Sequence, residues 1–194
     1  MTNRRSTLGL LGTAVVAALV VMTWGYMGPT RAQAADDDGN TATLEGKAAP
    51  DVSLDTMDGK KFKLSELKGN VVVLDFWATW CVPCRETLPH VQRLSTDKAL
   101  ADKGLRVWTV NVKDDKERAA AYMKKNNYTF NAALDKEDDV TYDAYRIEGL
   151  PTTVVVGRDG KVKKAFIGTS PDMAKELDAV VAAALAEKAG EKGK

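Results

Sequence analysis

One stretch of the sequence constrains both the fold and the chemistry. The apolar run 71–78 leads within two residues into the pentapeptide 80–84, Trp-Cys-Val-Pro-Cys. Valine, leucine and phenylalanine in such a run predict a strand that is buried on both faces of a parallel sheet. The chain has two cysteines, and both belong to this motif. Two thiols separated by two residues can close a small disulfide and reopen it, so we expect redox chemistry at the end of a buried strand.

The spacing of the two cysteines predicts different roles for them. If Cys81 lies where the strand gives way to a helix, unpaired N–H groups and the positive end of the helix dipole stabilise its thiolate. Pro83 suits the first turn of that helix, because the N–H that it lacks would be unpaired there anyway. We therefore expect Cys81 to attack a substrate disulfide and Cys84, one turn further on, to resolve the mixed disulfide.

The rest of the hydrophobic pattern indicates one α/β domain, because strands alternate with helices along the chain. The predicted elements, in chain order, are a β-hairpin turning at Asp58-Gly59, a helical turn 65–69, the strand 71–78, a helix from Cys84 to about Lys103, the strand 105–112, a helix capped by Asp114-Asp115 and ending at Lys125, the strand 130–134, a short helix 140–145, the strands 152–156 and 162–167, and a final helix 172–188. A hairpin and a helix close the domain.

The N-terminal residues 1–34 differ in kind from the rest. Two arginines precede the uncharged apolar run 8–27, and Ala-Gln-Ala at 32–34 is typical of a signal peptidase site. The run is also long enough to stay as a membrane anchor, so cleavage after Ala34 and retention both remain open. Either outcome places the domain outside the cytoplasm. The polar, acidic segment 35–46 predicts a flexible linker.

Composition excludes several other classes of function. The formal net charge is +1, which offers no electrostatic basis for binding nucleic acid. A zinc site needs four ligands, and the chain has no second cysteine pair to complete one. A disulfide across two residues closes too small a loop to serve mainly as a structural staple. The single histidine, His90, is interpreted as a half-exposed helix residue rather than a copper ligand.

Two separate segments resemble the thioredoxin superfamily. Segment 72–89 is similar to its active-site segment: an apolar strand, Trp-Cys-x-x-Cys, then a proline five residues after the second cysteine. Residues 149–153, Gly-Leu-Pro-Thr-Thr, resemble its cis-proline loop. The opening hairpin, an insert around 113–148 and the export signal resemble the TlpA/ResA-like branch of extracytoplasmic thiol-disulfide oxidoreductases. Over about residues 47–189, followed by a polar tail 190–194, the resemblance implies a thioredoxin fold with an N-terminal β-hairpin extension and a central insert.

This resemblance implies roles for residues beyond the motif. Pro151 would follow a cis peptide bond and lie beside the Cys81 sulfur, and Leu150 would offer backbone groups to an extended substrate. Asp75 would be a buried carboxylate that relays protons to the inner cysteine, because burial raises a carboxyl pKa towards neutrality. The alternative for Asp75 is a salt bridge near the strand end, with Lys68 as a partner.

Apolar residues around the motif are candidates for substrate contact. Trp80 is expected to pack beside the active disulfide and to present an apolar surface to a partner, whereas Trp77 is expected in the core. Val82 and Pro83, the residues between the cysteines, are further candidates for substrate contact and help to set the thiolate pKa.

One position departs from the family pattern. TlpA-like proteins often carry a glutamate three residues after the second cysteine, where this chain has Thr87. Its acid, Glu86, stands one position earlier and is therefore expected on another side of the helix. We interpret Glu86 as a surface acid without a role in the reaction.

The resulting functional hypothesis is an exported thiol-disulfide oxidoreductase that reduces protein disulfides, with cytochrome c maturation as a role within the family. It would act as a monomer without metal or cofactor, apart from the Cys81–Cys84 disulfide. Its partners would be a disulfide-containing protein and a membrane thiol-disulfide electron donor, and it would not bind nucleic acid. The alternative is a disulfide oxidase or isomerase, and a measured reduction potential would distinguish it from a reductant. A copper-carrying or other binding module is a further, less favoured alternative.

Overall fold

The computed structural model describes residues 39–137 and 139–188. Its strands and helices, in chain order, are β1 (Ser53–Thr56), β2 (Lys61–Lys63), β3 (Val71–Trp77), α1 (Cys84–Thr96), α2 (Lys98–Asp102), β4 (Leu105–Val112), α3 (Lys116–Lys125), β5 (Asn131–Asp135), β6 (Thr152–Val156), β7 (Val162–Ile167) and α4 (Met173–Ala186). Single turns of 3₁₀-helix at Thr41–Leu44 and Leu64–Leu67 and a π-helical turn at Asp139–Ala144 complete the list. The predicted α/β class is confirmed.

The strands form one mixed sheet with β3 near its centre, in the order β2-β1-β5-β4-β3-β6-β7. Strand β3 pairs in parallel with β4 and antiparallel with β6. The hairpin β1–β2 extends the sheet beyond β5. This arrangement is a thioredoxin fold with an N-terminal hairpin, as the sequence predicted.

Every residue of β3 is buried, because both faces of the strand are covered. Alternate side chains of a strand point to opposite faces of the sheet. Val71, Val73 and Trp77 therefore pack with the helices α1 and α4. Residues 72, 74 and 76 pack on the other face, with the hairpin and the segment around Ile147. The predicted doubly buried strand is confirmed.

The helix predicted from Cys84 to about Lys103 is two helices. Asp97 has extended backbone angles, φ −73° and ψ 102°, and ends α1. Its side chain accepts a hydrogen bond from Leu100 N at 3.0 Å and thereby caps the N-terminus of α2. Aspartate side chains compete for backbone N–H groups in this way, and hydrophobic spacing does not reveal the competition.

The predicted linker 35–46 is wrong over its last residues. Thr41 and Leu44 are buried in a 3₁₀ turn. Gly46 and Lys47, which come next in the chain, hydrogen-bond to Val162 at the start of β7. Gly46 N donates to Val162 O at 2.8 Å, and Val162 N donates to Lys47 O at 2.9 Å. One apolar side chain, backbone hydrogen bonds and polar side chains such as Thr41, which donates to Arg146 O at 3.1 Å, hold this segment. Its polar average composition therefore misled the prediction.

Several predicted segments lie outside the described residues. These are the leader 1–34, the first part of the linker up to residue 38, and the tail 190–194 with residue 189. Within 39–137 and 139–188, every helix is too short or too polar to span a bilayer.

Replacing Leu44 by alanine tests the correction to the linker. Leu44 is 7% exposed and packs against the core face formed by the hairpin. We expect Leu44→Ala to lower the free energy of unfolding by about 2 kcal/mol, measured by urea denaturation. Ala42→Ser, at an exposed position of the same turn, is the matched control and should leave stability unchanged. Equal stability of the two variants would mean that the segment is a linker after all.

Candidate active site

The two cysteines form a disulfide at the N-terminus of α1. Strand β3 ends at Trp77, a loop carries Cys81, and the helix begins at Cys84. The Cys84 N–H donates a hydrogen bond to the Cys81 sulfur at 3.2 Å. Cys84 is completely buried, whereas Cys81 is 5% exposed. This asymmetry is what the predicted roles require, since a substrate can approach only the outer sulfur.

Asp75 lies on the face of β3 that packs against the motif. It is two residues before Trp77, so both side chains point to the face on which Cys84 packs. Asp75 is completely buried, and the Thr153 hydroxyl donates to its Oδ1 at 2.6 Å. Burial raises the pKa of Asp75 to about 7, although the Thr153 hydrogen bond lowers it. The alternative salt bridge to Lys68 does not form in the described part of the chain.

The proline loop precedes β6 and contains the predicted cis peptide bond. The Leu150–Pro151 peptide bond is cis. The loop is held from both sides, with the Thr152 hydroxyl donating to Gly149 O at 2.8 Å and Gly168 N donating to Pro151 O at 2.8 Å. Leu150 is half-buried. The segments 80–84 and 149–151, about 65 residues apart in sequence, therefore meet, because Leu150 and Trp80 line one cleft of about 180 Å³.

The two tryptophans beside the motif have different environments, as predicted. Trp80 is 52% exposed and Val82 is 63% exposed, and Pro83 is also exposed. Trp77 is completely buried and donates its indole N–H to the Thr109 hydroxyl at 3.1 Å. An apolar, accessible rim therefore surrounds the outer cysteine, and contact between this rim and a substrate remains a prediction.

Sequence reasoning missed a buried acid that holds the active-site loop. Asp114 was predicted to cap α3 together with Asp115, which occupies the cap position without a side-chain cap bond. Asp114 instead accepts hydrogen bonds from the backbone N–H and the hydroxyl of Thr79, both at 2.7 Å. Asn111 adds a third bond at 3.0 Å. The signal was its position two residues after the end of β4, at the edge of the sheet where the parallel strand β3 also ends.

The surroundings of three polar residues of α1 are explained without a role in the reaction. Glu86 is exposed, as predicted. Thr87, at the position of the family's glutamate, is buried and donates to Cys84 O at 3.2 Å. His90 is half-buried with Nε2 3.0 Å from an oxygen of Asp178. Among the described side chains, no cluster of three or more His, Cys, Asp or Glu residues is arranged to hold a metal ion.

Comparison with known proteins agrees with this geometry. The sequence profile of the family described as Redoxin matches residues 44–181. The chain belongs to the Redoxin family. Among its curated relatives, the thiol-disulfide oxidoreductase ResA of Bacillus subtilis is 37% identical over 131 residues, which are 68% of this chain and 72% of ResA. ResA of Geobacillus thermodenitrificans is 32% identical over 142 residues, which are 72% of this chain and 80% of that protein.

A solved structure shares the fold as well. A proposed thiol:disulfide interchange protein DsbE from Chlorobium tepidum superposes with a TM-score of 0.67 at 33% identity, covering 73% of this chain and 97% of that one. This Redoxin-family protein is therefore a thiol-disulfide oxidoreductase, as the cysteine motif predicted.

The buried carboxyl makes stability depend on pH in a defined direction. Because folding raises the Asp75 pKa from 3.8 to about 7, its contribution to stability is full below pH 4 and is lost as the pH rises through 7. Asp75→Asn removes this ionisation. The variant should therefore gain stability relative to wild type between pH 5 and 8, by roughly 2–4 kcal/mol at the upper end.

Urea denaturation of the disulfide-bonded proteins across that pH range measures the difference. Glu86→Gln, an exposed acid on α1, is the matched control and should follow the wild-type profile. A difference between wild type and Asp75→Asn that stays constant with pH would show that Asp75 ionises near its ordinary value.

Proposed function

We propose that this thiol-disulfide oxidoreductase reduces disulfide bonds of protein substrates outside the cytoplasm. The observation that carries the proposal is the asymmetry of the pair: Cys81 keeps a small exposed area, Cys84 is completely buried one turn further on, and an acid lies on the strand beneath. An enzyme that attacks one sulfur and resolves with another needs these three positions.

The first step is attack by the outer cysteine. In the reduced protein the Cys81 thiolate attacks one sulfur of the substrate disulfide, and a bond forms between the two sulfurs as the substrate S–S bond breaks. One substrate thiolate leaves and takes a proton from solvent. The N-terminus of α1 and the Cys84 N–H, which bonds the Cys81 sulfur at 3.2 Å, favour the thiolate over the thiol.

The second step needs a proton acceptor in the core. Cys84 is buried away from solvent, so its thiol proton must go to a protein group. Asp75, with a pKa raised to about 7 by burial, can take this proton near neutral pH. The Cys84 thiolate then attacks the Cys81 sulfur, the Cys81–Cys84 bond forms, and the Cys81–substrate bond breaks, so that the second substrate sulfur leaves as a thiolate and takes a proton from solvent. The substrate has gained two electrons, and the protein has lost two in forming its disulfide.

The surroundings of Cys81 favour reduction over oxidation. A strong oxidant stabilises its reduced form by strongly stabilising the attacking thiolate. Here the residues between the cysteines, Val82 and Pro83, are uncharged. In the described part of the chain, the Cys84 N–H is the one hydrogen-bond donor to the Cys81 sulfur. The ionised form of Asp75 further opposes negative charge at the pair.

The cleft beside the motif supports binding of an extended substrate. We propose that the substrate chain lies along Leu150 and Pro151, which is how proteins commonly add a strand to an exposed backbone segment. Trp80 and Val82 would contact its apolar side chains. A membrane thiol-disulfide electron donor would reduce the protein again, and cytochrome c maturation is the process that the family resemblance suggests. The apolar run 8–27 would export the domain or anchor it.

Trapping a substrate tests the order of attack. Cys84→Ser retains the attacking thiol but cannot resolve the mixed disulfide, so it should accumulate covalent adducts with disulfide-containing proteins. The adducts are measured by non-reducing electrophoresis and mass spectrometry. Cys81→Ser is the matched control and should form at least about tenfold fewer adducts, because the remaining thiol is completely buried. Preferential trapping by Cys81→Ser would reverse the assigned roles.

The reduction potential tests the direction of electron flow. Equilibration with glutathione or dithiothreitol buffers, followed by thiol labelling, measures it directly. A reductant should give a value near or below about −220 mV. A value near about −120 mV would instead identify an oxidant, and the proposal of reduction would fail while the order of attack by the cysteines would stand.

A further inference from the structure

The buried acid lies between two threonines in a row across three strands. Asp75 of β3 is in register with Thr153 of β6 and with Thr109 of β4. All three side chains are completely buried. Three neighbouring polar side chains in an otherwise apolar face need internal hydrogen bonds, because burying a polar group without a partner is costly.

The two threonines use their hydroxyls differently. Thr109 donates to Asn131 O at 3.3 Å and accepts the Trp77 indole N–H at 3.1 Å, so its hydroxyl is engaged away from the acid. Thr153 donates to Oδ1 of Asp75 at 2.6 Å. The second carboxyl oxygen, Oδ2, has no hydrogen-bond partner among the described residues. Thr153 is thus the residue that holds the carboxyl.

This arrangement decides which oxygen carries the proton. The described structure offers the Thr153 hydroxyl hydrogen one acceptor, Oδ1 of Asp75. Protonation at Oδ2 keeps this hydrogen bond in place, whereas protonation at Oδ1 would require the hydroxyl to turn away. Oδ2, which has no hydrogen-bond partner among the described residues, is therefore the oxygen open to an arriving proton.

We propose that Thr153 is a positioning residue for the reaction: its hydroxyl fixes the Asp75 carboxyl and leaves Oδ2 as the atom that takes up and releases the Cys84 proton. The inference rests on the proposed proton transfer in the second step. Thr153 also connects the acid with the proline loop, because it lies two residues after Pro151 on β6, the strand that follows this loop.

Other ionisable groups lie on the surrounding elements. The buried or half-buried ones are Cys81 and Cys84 at the start of α1, His90 on α1, Asp114 after β4, Lys116 and Tyr122 on α3, Lys163 and Lys164 on β7 and Asp178 on α4. His90 pairs with Asp178, Asp114 bonds to Thr79, and Lys164 pairs with Glu45. Burial and the Thr153 hydrogen bond account for the Asp75 pKa, without a charge from these groups.

The test compares three single variants of the full chain. Thr153→Val keeps the shape of the side chain and removes the hydroxyl, whereas Thr153→Ser keeps the hydroxyl. Thr152→Val removes the neighbouring hydroxyl, which bonds Gly149 O rather than the acid. The readout is the titration of the Asp75 carboxyl carbon by NMR in the disulfide-bonded protein, where neither cysteine titrates.

The midpoint of the Asp75 titration should rise in Thr153→Val by about one pH unit or more, because the carboxylate loses its hydrogen bond. Thr153→Ser and Thr152→Val should stay near the wild-type midpoint of about 7. In the reduced protein, the pH midpoint of the rate of disulfide reduction should move upward with that of the acid. If Thr153→Val is too unstable to measure, Thr153→Ala tests the same hydrogen bond.

An unchanged or lower midpoint in Thr153→Val would overturn the inference. The parallel variant Asp75→Asn separates this failure from failure of the proposed proton transfer. If Asp75→Asn abolishes the pH dependence near 7 while Thr153→Val leaves it unchanged, the relay stands and the role of Thr153 is wrong. If Asp75→Asn leaves the rate profile unchanged, the relay itself is wrong, and the role of Thr153 in the reaction fails with it.

Discussion

The burial of β3 on both faces is the constraint on which the rest of the structure depends. A strand that pairs on both edges and is covered on both faces has no access to water, so each polar atom on it needs a partner inside the protein. The backbone groups find theirs in β4 and β6. The position of the strand end is therefore fixed. The short loop that follows it places Cys81 just before the start of α1 and leaves this residue few alternative positions.

The same burial gives the core acid its chemistry. A carboxyl at the surface would titrate near pH 4 and would be ionised throughout the physiological range. Asp75 has lost its hydration and has gained one hydroxyl in return, so its pKa rises to about 7. The cost is a fold that is less stable when the acid ionises. In the proposed reaction this carboxyl accepts the proton of the buried Cys84 thiol, which solvent cannot reach.

Sequence patterns predicted the structure best where a pattern is compatible with only one local structure. The apolar run, the paired cysteines and the turn at Asp58-Gly59 each admit few structures, and all three were located correctly. Aspartates were harder, because the same side chain can cap a helix or bond a distant loop. Asp97 caps α2 and so divides one predicted helix into two. Asp114 was predicted to cap α3 but accepts hydrogen bonds from Thr79 instead. Composition alone could not separate these outcomes.

The sequence by itself determined the chemistry: a Cys-x-x-Cys pair at a strand–helix junction, with a resemblance that named Pro151 and Asp75 as its companions. Only the tertiary structure decided what those companions do to each other. The register between β3 and β6 places the Thr153 hydroxyl on the Asp75 carboxyl, and strand register between residues 78 positions apart is a property of the packed sheet. Local patterns carry no record of such a pairing, because long-range contacts form only once the core has closed.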